Sequence, residues 1–168
     1  VKTLHPRVHG GLLGRDTAEH QAEMAAHNIP PIDLLVVNLY PFAATVARPG
    51  VTPAEAIEQI DIGGPAMLRS ASKNHERVTV LTDPADYEPI LAELRAQGQT
   101  SSTTRRRLAR KAFALTSSYD AMITAYFDRE EPSAAVTSPE PTPSELLPQR
   151  LEMPLVRHQV LRYGENPH

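Results

Sequence analysis

Residues 33–42, DLLVVNLYPF, constrain the fold more than any other stretch of the chain. From Leu34 to Leu39 the run is apolar and rich in β-branched residues, without the alternation of a half-exposed strand. Such a run predicts a strand covered on both faces, as in a parallel sheet under helices. RVTVLT at 77–82 predicts a second strand. Helical signals surround the two. Asp16-Thr17-Ala18-Glu19 has a capping-type signature and predicts a helix to about His27, ended by Asn28-Ile29-Pro30-Pro31. Thr52-Pro53-Ala54-Glu55 is a capping box with proline at the first helical position, predicting a helix over 53–60. Pro65 starts a short helix to about Ser72, and Asp83-Pro84 starts another that Gly98 closes. A longer helix is expected from Thr103 to Phe127, with Leu108, Ala112, Leu115, Tyr119, Met122 and Tyr126 as its buried stripe. The order strand, helix, helix, strand, helix, helix is an α/β pattern with parallel crossovers. Ligands in such sheets gather at the carboxyl ends of strands, which points to the loop Asn38 to Phe42.

A chain of 168 residues with 40% hydrophobic and 22% charged residues suits one globular domain. A net charge of −3 argues against a nucleic-acid binder. The chain has no cysteine, which removes disulfides, thiolate nucleophiles and cysteine-ligated zinc, and fits a reducing compartment. No apolar run reaches the length of a membrane span and no signal-peptide pattern opens the chain, so the expectation is a cytoplasmic protein with no membrane partner. Residues 128–154 hold six of the sixteen prolines and little periodicity, and read as a linker. VKTLHPRVHGG reads as a dense loop inside a domain, and LRYGENPH stops as abruptly, as expected of a piece of a longer protein.

Several residues are suited to chemistry. Lys2-Thr3-Leu4-His5-Pro6 is rich in donors for a phosphate or a carbonyl, although an exposed loop is the plainer reading. His5 and His9 lie four apart, but Pro6 between them argues against one helical face and hence against metal ligation. Tyr40 is either a general acid or a core tyrosine, and Asp61, before Gly63-Gly64, either a base or a turn residue. Arg69 and Lys73 stand one helical turn apart, where like charges cost about 0.2–0.5 kcal/mol unless solvated or facing an anion. A lysine near a carboxylate and a strand end can be tuned for proton transfer. Arg105-Arg106-Arg107 with Arg110-Lys111 is expected on a solvated helix face.

Taken in order, VKTLHPRVHGG, DLLVVNLYPF, EQIDIGGPAMLRSASKNHERVTVLTDPADY and LRYGENPH closely resemble the bifunctional purine biosynthesis family, which joins an inosinate (IMP) cyclohydrolase domain to an AICAR transformylase domain. The resemblance covers residues 1–127 and 160–168 and implies a methylglyoxal-synthase-like α/β fold, a parallel sheet flanked by helices, truncated at its N-terminus. The implied organisation is a partial cyclohydrolase domain over 1–127, the linker over 128–154 and the start of the transformylase domain over 155–168. The implied reaction closes the ring of the formamido-imidazole-carboxamide ribotide (FAICAR) to IMP with loss of water, without a metal or organic cofactor. By resemblance Asp61 serves the amide, Lys2 and Tyr40 the oxyanion, and Lys73 donates and accepts protons, all around one cleft. Thr3, Val37, Asn38 and Ile62 match nucleotide contacts, while Arg162 and Tyr163 match AICAR contacts of the transformylase domain. The family also implies a homodimer, a purine nucleotide substrate, and 10-formyltetrahydrofolate as co-substrate of the transformylase half. The region around the 5′-phosphate is expected upstream of Val1, and no transformylase activity is expected of the chain alone. Two rivals share the fold: a non-catalytic regulatory module that binds a phosphate-bearing ligand, and methylglyoxal synthase.

Overall fold

In the computed structural model, residues 2–130 are described, together with Val160. Helix α1 (Pro6–Leu13) is followed by α2 (Ala18–Ala26), strand β1 (Leu34–Val36), and helices α3 (Phe42–Val46), α4 (Pro53–Glu58) and α5 (Gly63–Lys73). Strand β2 (Thr79–Leu81), a 3-10 turn at Pro84–Asp86, α6 (Tyr87–Gln97) and α7 (Ser102–Glu130) complete the described order. The two strands pair in parallel, with Leu34 opposite Thr79, Leu35 opposite Val80 and Val36 opposite Leu81. The chain divides into two units, Val1–Glu131 and Pro132–His168, and the elements described above belong to the first.

The capping signals work locally as expected. Thr17 accepts the His20 N–H at the head of α2, and Thr52 and Glu55 form the reciprocal box of α4. Gly98 ends α6 in the left-handed conformation, with φ 71°, where a side chain would be strained. Other expectations need correction. The opening stretch, expected as a loop, is helical from Pro6 onward, because Pro6 takes the first helical position and the His5 side chain accepts the Arg7 N–H. Helix α5 starts two residues before Pro65, which lies in the first turn, where a missing N–H costs nothing. Helix α7 continues through residues 128–130, into the stretch expected to be linker.

The core lies between α1, α5, α7 and β2, with Leu12, Leu68, Ala71, Val78, Val80, Leu108 and Ala112 among its buried residues. All of β2 is buried. Strand β1 is not covered on both faces: Leu34 is 45% and Val36 48% exposed, while Leu35 packs on the core. Among the described residues only β2 pairs with β1, so the outer face of β1 meets α6 along an open apolar groove. The α7 stripe runs through Leu108, Ala112, Thr116 and Tyr119, and Met122 turns outward. Thr116 tolerates the core because its hydroxyl donates to the Phe113 carbonyl one turn back.

Polar ties hold the parts together. Buried Asn74, capping α5, donates to the Leu12 and Gly14 carbonyls at 2.8 and 3.0 Å, which satisfies the end of α1. Arg77 reaches the Gly11, Gly14 and Ile32 carbonyls and pairs with Asp33. The basic run of α7 is more than a solvated face. Arg105 donates to the His75 and Glu76 carbonyls, Arg107 pairs with Asp86, and Lys111 bridges Asp83 and Asp86.

Candidate functional site

The segment that leaves β1 carries Asn38, Leu39 and Tyr40 across the carboxyl ends of both strands. Asn38 bridges there: its amide donates to the Thr82 carbonyl at 3.2 Å and accepts the Tyr87 hydroxyl at 3.2 Å. Beyond it, Tyr40 is 56% exposed. Its main-chain N–H points to Asp61 Oδ2 at 3.4 Å. The other carboxylate oxygen, Oδ1, accepts the Gly64 N–H at 2.8 Å, one of the otherwise unpaired donors at the start of α5. One aspartate therefore links the strand exit to the helix start.

Glycine is needed at position 64 for this arrangement. A Cβ there would overlap Asp61 Oδ2 and approach Leu39 Cδ2 to 2.7 Å. The Asp61 N–H is also held, donating at 2.8 Å to the Tyr119 hydroxyl, which in turn donates to the Gln59 carbonyl at 3.2 Å. Tyr119 is 3% exposed, and burial pushes its phenol above the ordinary tyrosine value, so it remains a neutral donor.

Lys2, Thr3, Tyr40, Asp61 and Ile62 line one open cleft of about 750 Å³, together with Glu58 and Gly63. Lys2 and Thr3 reach it from the segment before α1, Tyr40 from the strand exit and Asp61 from the turn before α5. Val37 and Asn38 are not in its lining; the Val37 N–H donates to the Leu81 carbonyl and its side chain packs on the core. Arg162 and Tyr163 lie outside the described residues.

Lys73 is the correction. It lines a different cavity of about 360 Å³ with Leu13, Arg15, His20 and Asn74. The physical reason is the helix between them. Asp61 precedes the first turn of α5 and Lys73 ends its last, and a helix of 11 residues spans roughly 16 Å at 1.5 Å per residue. In the last turn the Lys73 charge complements the negative end of the helix dipole. Arg69 has a structural partner, its guanidinium lying 5.6 Å from the centre of the Phe113 ring. His5 and His9 form no pair, since His5 caps α1 and His9 Nδ1 meets Ser70 Oγ at 2.9 Å. Among the described residues no three His, Asp or Glu side chains converge on a metal position.

Sequence reasoning missed Glu58, which enters the cleft from the last residue of α4 without a sequence signal. It also took Tyr119 as one more member of an apolar stripe. The signal was present in kind, because a buried tyrosine hydroxyl usually has a partner, but its partners lie 58 and 60 residues away.

Residues 71–168 match the model of the AICARFT/IMPCHase bienzyme family, and residues 1–66 match the MGS-like domain. The first match covers more than half of the chain. The chain belongs to the AICARFT/IMPCHase bienzyme family. Relatives named bifunctional purine biosynthesis protein PurH are 55% identical in Listeria monocytogenes, 55% in Sorangium cellulosum and 52% in Anoxybacillus flavithermus. Each similarity covers 100% of this chain and 31% of the relative, so the chain spans about a third of the length of these relatives. A solved structure described as the crystal structure of ForH is 42% identical, with a TM-score of 0.68 over 76% of this chain and 66% of that one. The helix-rich α/β fold with its small parallel sheet is thus the fold of the family's MGS-like domain. No helix among the described residues is long and apolar enough to cross a membrane.

Proposed function

We propose that the cleft between the N-terminal segment, the β1 exit and the start of α5 serves the IMP cyclohydrolase step of purine biosynthesis, the closure of FAICAR to IMP. The observation that carries this reading is the meeting of Lys2, Tyr40 and Asp61, from three separate segments, around one opening of about 750 Å³. A carboxamide nitrogen is a poor nucleophile. Its attack on the formyl carbon requires a base at nitrogen and positive charge or a donor at the formyl oxygen.

Asp61 is the base in this scheme. Each of its oxygens accepts one main-chain N–H, which leaves lone pairs on the carboxylate for a substrate proton. The Lys2 ammonium, which has no ion-pair partner among the described residues, and the Tyr40 hydroxyl meet the charge on the formyl oxygen. Once the new C–N bond has formed and the amide proton has gone to Asp61, the former formyl oxygen is a hydroxyl. That oxygen takes its proton from Lys2 or Tyr40 and then leaves as water with the proton held by Asp61. The former formamide N–H returns a proton to the donor that lost one as the C=N bond forms. Acid–base chemistry of this kind proceeds without a cofactor.

The test is made in the complete protein. Asp61→Asn and Lys2→Met each lower cyclisation by about 10²–10⁴-fold, the contribution typical of a positioned acid or base, while formyl transfer from 10-formyltetrahydrofolate continues. Formation of IMP is followed by absorbance. Cyclisation in both variants within about tenfold of the unaltered protein, a change of only about 1.4 kcal/mol in the barrier, would refute the assignment.

A further inference from the structure

We infer that Tyr119 is a positioning residue for the cleft, holding both the Asp61 wall and the Tyr40 wall from helix α7. Two contacts carry this inference. The hydroxyl holds the Asp61 side, accepting the Asp61 N–H at 2.8 Å and donating to the Gln59 carbonyl at 3.2 Å. Residues 59–61 lie between α4 and α5; the Gln59 and Ile60 N–H groups still donate to α4 carbonyls, whereas the Asp61 N–H is held by the Tyr119 hydroxyl. The ring holds the Tyr40 side. It packs edge-to-face on buried Phe42, centroids 6.3 Å apart at 65°, two residues beyond Tyr40. Asp61 closes the circuit through its carboxylate, which accepts the main-chain N–H groups of Tyr40 and Gly64.

Tyr119 does not line the cleft. It acts through Asp61 and Tyr40, whose spacing it sets. Without the hydroxyl, a main-chain donor and a main-chain acceptor of the connector lose their common partner at a part-buried place. The connector then shifts or opens to find water. The retained ring keeps Phe42 in place, so the defect begins at Asp61 and reaches Tyr40 only through the N–H that the Asp61 carboxylate accepts.

The activity side of this inference rests on the cyclisation reading; the main-chain side does not, and the experiment separates them. In the unaltered complete protein, the Asp61 amide is protected from hydrogen exchange although it lies in no regular element. Rapid exchange there would overturn the inference with no variant needed. In Tyr119→Phe, exchange at Asp61 and Tyr40 rises by about tenfold, the factor that accompanies loss of one buried hydrogen bond. Cyclisation kcat falls by a similar factor while KM stays nearly constant, as expected when a group is misplaced and the ligand still binds. Ile90→Val, which thins the core beneath α6, is the stability control and moves neither quantity. Unchanged exchange at Asp61 and Tyr40 in Tyr119→Phe would overturn the inference. An unaltered protein without cyclisation activity would overturn the functional reading alone and leave the exchange result to decide this one.

Discussion

Gly64→Ala tests the coupling between Asp61 and helix α5. An alanine Cβ at this position overlaps Asp61 Oδ2 and comes within 2.7 Å of Leu39 Cδ2 and 2.9 Å of Asp61 Cγ. Leu39 Cδ2 is the far end of a flexible side chain and can move. Asp61 is tied by its own N–H, by Gly64 and by Tyr40, so the carboxylate relieves the overlap only by leaving the helix start. A hydrogen bond to a charged group is worth about 1.5–3 kcal/mol, and replacing glycine by alanine in a helix returns roughly 0.5–1 kcal/mol. The expected net loss is therefore about 1.5 kcal/mol, which for a unit of this size lowers Tm by roughly 5–8 °C. Urea unfolding followed by circular dichroism measures it. The decisive comparison is Gly64→Ala in an Asp61→Ala background, where no carboxylate is left to clash. There the cost falls to within about 0.5 kcal/mol of zero, a coupling of about 1.5 kcal/mol between neighbouring residues. Equal cost in the two backgrounds would refute the account of why glycine stands at this position.

Acid stability supplies another test. Hydrogen bonding from Lys111 holds the Asp83 and Asp86 carboxyls below the usual carboxylate range, aided by the Ala85 N–H at Asp83 and by Arg107 at Asp86. Because the folded values are depressed, the unfolded chain binds more protons in acid. The stability from these pairs is complete above the ordinary carboxylate value of about 4 and is lost as pH falls through the folded values. Lys111→Met flattens the acid limb of urea-midpoint measurements, and an unchanged limb would contradict the role given to these pairs. The position of Lys73 makes the last prediction. With Lys73 and Asp61 at opposite ends of α5, a contribution of Lys73 to reaction in this cleft has to come from a second copy. Where Lys73→Ala abolishes cyclisation, co-folding those chains with inactive Asp61→Asn chains then restores up to about a quarter of the activity through mixed dimers with one intact site. Lys73→Ala chains that are inactive and stay so after mixing would refute the placement.

Local signals determined much of this chain by themselves. Thr17, Thr52-Pro53-Ala54-Glu55 and Gly98 mark helix ends because a cap acts within four residues, and the structure has each one in use. The apolar runs located both strands, and the ordered motifs identified the family. Tertiary structure decided what depends on distance through space. Sequence periodicity says nothing about which neighbour covers β1, and its Leu34 and Val36 proved half exposed. The basic run of α7 reads as surface until Asp83, Asp86 and the carbonyls of His75 and Glu76 come to meet it. Lys73 follows Asp61 by twelve residues and belongs to the same family motif. A rigid helix between them carries the two to separate cavities, whereas Tyr119, 58 residues from Asp61, comes to hold its main chain. Closeness in sequence is kept along a turn and is undone by a helix, which separates its ends by its full length.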